Sequence, residues 1–449
     1  MKKFYKKRLF FYLNIFFALS IWFCIDTNFD NTFEILNNYA SWKDDNRYQK
    51  LFLFFRSLGP FLVFLIFFFS FIFFKKKINF LTKNKNLNYI LIILYVCFLY
   101  KCVGLLISDN HIYNSYYIIV ALLSIFLITN IYNEDLIKIN YFVSLIVLSI
   151  VISIYGFLAY KWFFTTLQLN MYGTFPVAFF SVADFSSNII RSSGLSRSSM
   201  IVLIPLFFLI LTDKNKFLYL IPYLILSTLI YLSQSRIVVT FFILFSFFSV
   251  FYFLRDQKKK YILQKFFILI LLPIIFFNAL VLTKKEFNKK QFESLGLEYK
   301  EEHYKVLRPM TITGSTTYDT NFTSFRYDNQ KKMILKSEKP ILGYGPLADR
   351  FLIDKNAHNT LVYSYVSGGI VSTILMIILI IRYTYLCLFL TFIKKITLQK
   401  KNIFILSSIF TISFLFFRGI AEIGIAVFSI DLLVFLSCMT ICEKFNIQK

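Results

Sequence analysis

The chain has 449 residues, of which 57% are hydrophobic and 20% aromatic, with 59 Phe. That composition excludes a soluble multidomain protein and fits a polytopic membrane protein. The formal net charge of +25 is not a nucleic-acid signature, because the Lys and Arg residues lie in short loops beside apolar runs, as the positive-inside bias of membrane proteins requires.

The N-terminal Lys2, Lys3, Lys6, Lys7 and Arg8 precede an apolar run at about 9–25, which reads as a retained first helix with a cytoplasmic N-terminus. The acidic stretch 26–50 follows, and a second run ends at Lys75-Lys76-Lys77. Further runs sit at about 89–107, 116–132 and 140–160, and an outer segment then leads to about Met200. A sixth run ends at Asp213, a seventh covers about 217–232, and an eighth begins at Arg236 and returns to the basic stretch 255–260. The ninth, about 266–283, opens into the polar loop 284–357. A tenth follows His358 and ends near Lys394-Lys395, and the last two cover about 403–417 and 425–441.

The fold expected is an all-α polytopic membrane protein with about twelve transmembrane helices, both termini cytoplasmic and one long outer (periplasmic) loop between helices nine and ten. It divides into N-terminal helices with an outer segment (1–184), a central part (185–393) that includes loop 284–357, and two C-terminal helices (394–449). The stretch 359–393 exceeds the roughly 20 residues of one straight crossing, so Gly368-Gly369 is expected to part a short surface helix from the true span. The six cysteines, Cys24, Cys97, Cys102, Cys387, Cys438 and Cys442, lie in or beside apolar runs with no CxxC and no metal spacing. Arg56, Lys101 and Asp431 lie near predicted outer ends of spans, where a charge can snorkel to the interface.

This topology gathers Arg191, Arg236, Arg326, His358 and Arg418 on the outer face, against the usual charge bias. Guanidinium forks suit diphosphate oxygens and stay charged. Each arginine also has a structural reading, as an interface anchor or a partner to a carboxylate such as Glu422. His358 follows Asp354 and Asn356, either of which would cap a helix starting at the histidine. The positive end of that helix would favour a neutral ring able to accept a proton. The alternative reading is a capping or packing histidine.

His358-Asn359, followed after nine residues by Gly369 and after two more by Ser372, resembles the His-Asn...Gly motif of the O-antigen ligase and polymerase superfamily. Pro340-Ile341-Leu342-Gly343-Tyr344-Gly345 is similar to that family's proline-x-x-Gly-x-Gly turn. Ser235-Arg236 resembles its Ser-Arg element, and Arg191-Ser192-Ser193-Gly194 its Arg-x-x-Gly segment. The resemblance covers about 185–382, and Ser372 stands where Gly or Thr is commoner. It implies a membrane glycan transferase whose donor is a glycan on undecaprenyl diphosphate. The acceptor would be lipid A–core or a growing polysaccharide, at the periplasmic face of a bacterial inner membrane. By the same resemblance His358 would be the general base, and Arg236 and Arg191 would hold the diphosphate. Arg326, Asn359, Arg418 and Gly369 would bind substrate. No metal, cofactor or nucleic acid is implied.

Three rivals stand beside the ligase. A polysaccharide polymerase of the same superfamily would use the same chemistry. A metal-dependent lipid-linked glycosyltransferase would use Asp44-Asp45 in the first outer loop. A lipid-linked oligosaccharide transporter would show repeat symmetry and polar residues near mid-membrane.

Overall fold

The computed structural model describes residues 80–106, 192–212, 217–232, 235–294, 322–346, 348–353, 357–427 and 430–447, with scattered positions between 65 and 149. These residues form helices and turns, and no strand occurs among them. The helices are α1 (Lys85–Leu106), α2 (Ser192–Thr212), α3 (Phe217–Leu232) and α4 (Arg236–Leu254). After them come α5 (Lys259–Phe266), α6 (Leu272–Ser294), α7 (Phe322–Lys336) and α8 (Ala348–Ile353). The last three are α9 (Thr360–Leu388), α10 (Ile403–Gly419) and α11 (Ile430–Ile447).

Five stretches among the described residues are long and apolar enough to cross a membrane: Lys85–Val103, Arg236–Leu254, Lys259–Thr283, Thr360–Ile393 and Lys400–Gly419. Ser196–Thr212 and Leu218–Leu232 are shorter apolar helices. The expected spans at 9–25, up to 74 and at 140–160 lie wholly or mostly outside the described residues, as do 295–321, Asp44-Asp45, Arg56 and Arg191, and the span at 116–132 is described only at separate helical positions. Two boundaries differ from the sequence reading. Helix α2 starts at Ser192 and not near Met200, because Ser, Gly and Arg at its start are polar yet compatible with helix. The ninth apolar run continues as α6 to Ser294, since Lys and Glu propagate a helix well beyond the apolar part.

Local chemistry sets several ends. Helix α1 begins where Asn84 Oδ1 accepts from the Leu87 N–H at 3.2 Å. Helix α4 begins after extended Ser235 and gives way to Arg255-Asp256. Tyr252 at its end donates to the Thr391 carbonyl at 2.9 Å, and Lys394 donates to Asn446 at 2.9 Å. The basic stretches 255–260 and 394–401 therefore share one end of the helix bundle. At the opposite end, the Phe241 ring lies 5.1 Å from Phe414 and 5.6 Å from Phe417, and Gly419 packs on Thr360. The N-termini of α4 and α9 and the C-terminus of α10 meet there.

Phe207, Phe208, Phe245 and Phe410 interlock in the middle, with ring centres 4.7 Å apart for Phe207–Phe245 and 5.1 Å for Phe245–Phe410. Among lipid-facing helices, packing and small polar residues drive association, since hydrocarbon outside is as apolar as the core. Buried Ser407, Ser408 and Thr411 on α10, and Ser437 and Thr440 on α11, fit that account. Ser408 and Ser437 return their hydroxyls to carbonyls one turn back, at 2.8 and 3.1 Å.

Helix α9 is broken at the expected place. Gly368 (φ −137°, ψ 22°) and Gly369 (φ 61°, ψ −166°) leave helical geometry. The turn 340–345 fills the gap with its own backbone. Tyr344 and Gly345 donate to the carbonyls of Val366 and Ser367 at 2.9 and 2.7 Å, and Ile370 donates to Pro340 at 2.8 Å. Polar groups freed by the break are thus paired inside the protein, as a break within a membrane helix requires. Gly343 and Gly369 both have positive φ, and a β-carbon on either would collide with the opposing backbone.

Candidate functional site

The helix that follows His358 starts two residues later than its sequence suggests. Asn359 is the N-cap of α9, accepting from the N–H groups of Leu361 and Val362 at 2.9 and 3.1 Å. Asp354 and Asn356, the caps expected, lie outside the described residues. His358 precedes the cap with a left-handed backbone, φ 49°, a conformation uncommon outside glycine. The chain reaches it under restraint. Ala357 donates to buried Asp349 at 2.9 Å, and Gln330 of α7 donates to the Ala357 carbonyl at 3.0 Å.

Opposite the ring lies Glu422, with Nδ1 and Oε2 3.9 Å apart and side chains 32% and 23% exposed. Glu422 sits in the turn joining α10 to α11, and that turn is tied down through its carbonyls. Asn359 Nδ2 donates to Ile420 at 3.1 Å. Thr360 Oγ1 donates to Glu422 and Ile423 at 3.1 and 2.8 Å. Gly424 (φ 55°) closes the turn against the Thr360 hydroxyl. A partly exposed imidazole beside a carboxylate, on a backbone with little freedom, can accept and pass on a proton.

An apolar groove of about 390 Å³ opens beside this pair, between α9 and α10. Asn359 and Thr360 give one end its polar groups, beside Ile420, and Thr384, Leu388 and Ser413 line its other part. Thr384 and Leu388 are exposed on helices of membrane-spanning length. The groove therefore leads from the His358 end into the depth that hydrocarbon would occupy.

The remaining candidates divide. Arg236 is exposed at the first position of α4, at the same end of the bundle as His358. Arg326 lies on α7, and its side chain is outside the described residues. Arg418 is only 6% exposed, and its guanidinium donates to Asp431 at 2.6 Å. The partner is Asp431 and not Glu422, and the site expected on the outer surface is instead inside the protein. Gly369 has a structural task, admitting the backbone of Ile341 and Leu342.

Two charges that the sequence places at the membrane interface are buried instead. Asp431, 1% exposed, sits between Arg418 and Arg197, the latter at 3.3 Å. Lys101 is likewise 1% exposed. Arg197 is a residue that sequence reasoning passes over. Its signal is an arginine three residues before the unbroken run Met200–Leu211, where an intramembrane charge calls for a partner. No family model, curated protein or solved structure matches the chain.

Proposed function

We propose that the protein is a membrane glycan transferase that moves an O-antigen-type glycan from undecaprenyl diphosphate to a sugar hydroxyl, with lipid A–core as acceptor. One observation carries the reading: the segments that hold the His358–Glu422 pair, through Asn359 next to the histidine and Ile420 two residues before the glutamate, line one end of an apolar groove between membrane-length helices. That placement suits a substrate with a hydrocarbon tail and a reactive polar head. The orientation follows the basic stretches 255–260 and 394–401, which the positive-inside bias assigns to the cytoplasm. The opposite end, with His358, then faces the periplasm of an inner membrane.

In this reaction His358 takes the proton of the acceptor hydroxyl, and the oxygen attacks the anomeric carbon. The bond from that carbon to the diphosphate oxygen breaks, and the diphosphate leaves with the bonding pair. Attack opposite the leaving group inverts the anomeric centre. Glu422 steadies the imidazolium that forms, and His358 releases the proton to solvent. Arg236, with Arg191 and Arg326, holds the departing charge, as donors aimed at a developing anion do. Arg418 has no direct part in this scheme, because Asp431 holds its guanidinium. No metal is needed, since the energy lies in the glycosyl diphosphate bond.

The test is reconstitution in liposomes with undecaprenyl-diphosphate glycan and two acceptors, lipid A–core and a second lipid-linked repeat unit. Glycan on lipid A–core is the expected product. Glycan on the second repeat unit makes the protein a polymerase of the same chemistry. Transfer to neither acceptor, with donor present and protein folded, removes the reading.

A further inference from the structure

Lys101 is the single charged residue between Asn86 and Leu106 of α1, and it is 1% exposed. Among the described residues no carboxylate pairs with it. Its ammonium donates to the Ala426 carbonyl at 2.7 Å, and lies 4.9 Å from the Phe98 ring centre and 5.6 Å from that of Tyr363. The stem passes over the break in α9, where a β-carbon on Gly368 would stand 2.9 Å from Lys101 Cγ. A buried lysine in a helix of membrane-spanning composition is a functional candidate by default. Packing alone does not explain it, because a leucine or methionine would fill the same space without a charge to desolvate.

The task is legible in what the lysine grips. Ala426 closes the short turn that carries Glu422. Asn359 and Thr360, which also hold this turn, directly follow His358 in sequence and belong to the same segment. Lys101 comes from a different helix and fixes the far end of the turn. We propose that Lys101 is a positioning residue: it fastens the turn 420–426 so that Glu422 faces His358. The proposal rests on the reading of His358 and Glu422 as the reactive pair, and its principal test does not need turnover.

That test compares backbone amide exchange in purified wild type, Lys101→Met and Lys101→Ala. Methionine keeps the length of the stem and removes the donor. Losing a buried hydrogen bond should raise exchange in 421–427 by about tenfold in Lys101→Met, with α9 and α10 unchanged. Lys101→Ala should add exchange around 343–345, whose partners lie at the break. Wild-type exchange of 421–427 in Lys101→Met overturns the proposal. Should Lys101→Met not accumulate, Lys101→Arg and Lys101→Gln replace it. The longer donor should keep the turn protected and the shorter amide should not, and equal exchange in the two overturns the proposal. In the transfer assay kcat should fall about tenfold with donor KM unchanged, the signature of a misplaced group and not of lost binding. Raised exchange in a protein that transfers no glycan leaves the clamp in place and removes only the reading of function.

Discussion

A β-carbon on Gly343 would stand 2.6 Å from the backbone nitrogen of Gly369. The proline-glycine turn and the break in α9 are thus in direct backbone contact. The expected outcome of Gly369→Ala is a protein destabilised by about 2–4 kcal/mol, combining left-handed backbone strain with overpacking. Thermal unfolding in detergent reads the loss, and cleavage near 340–345 under limited proteolysis localises it. An alanine variant as stable as wild type would mean that the two segments part easily.

His358→Ala should insert and fold, yet lose about 10²–10⁴-fold in transfer, the usual worth of general base catalysis. Glu422→Gln keeps the shape of the side chain and removes its charge, so kcat should fall by a smaller factor, about tenfold or more. Donor KM should stay where it was in both. Glu422→Gln with wild-type kcat would show that the carboxylate does nothing for the histidine.

Much of this arrangement is legible in the sequence, because hydropathy and glycine act locally. The apolar runs at about 217–232 and 403–417 correspond to α3 and α10, and the Gly368-Gly369 break lies where the overlong run demands one. Partner choice is not legible. Lys101 meets a carbonyl 325 residues away, and nothing near position 101 names Ala426. Asp431 looks like a residue at a span's end because its depth depends on α2 and α10 packing over it. The cap of α9 escapes the sequence for a related reason: Asp354, Asn356 and Asn359 are all competent caps, and the contact of Asn359 with the Ile420 carbonyl joins positions 61 residues apart.

Asp431 serves two buried guanidiniums, Arg197 and Arg418. Asp431→Asn should therefore leave cations uncompensated and lower stability by about 3–5 kcal/mol, as breaking a buried pair does. Arg418→Met should also act through stability and leave donor KM unchanged in the surviving folded fraction. Thermal melts and steady-state kinetics on the same preparations separate the two. A raised donor KM in Arg418→Met, with stability intact, would return Arg418 to the substrate site.

Arg236 is exposed at the start of α4, at the end of the bundle that carries His358. If it holds the diphosphate, Arg236→Lys should be severely impaired, about 10²-fold or more, because an ammonium lacks the bidentate fork. Single-turnover rates at saturating donor measure this. Unchanged rates would make Arg236 an interface anchor.

Ser413 and Thr384 line the groove between α9 and α10 away from its Asn359–Thr360 end, the end next to the His358–Glu422 pair in sequence. Bulk placed there should obstruct a tail while leaving the head group untouched. Ser413→Phe is therefore expected to raise KM about tenfold for an undecaprenyl-diphosphate donor, since a pocket's shape sets which chain it admits. A donor with a prenyl tail too short to reach Ser413 should show the wild-type KM. The comparison is internal to one variant, so a general loss of folding would affect both donors alike. Equal KM changes for long and short tails would mean that the hydrocarbon chain lies elsewhere on the helices.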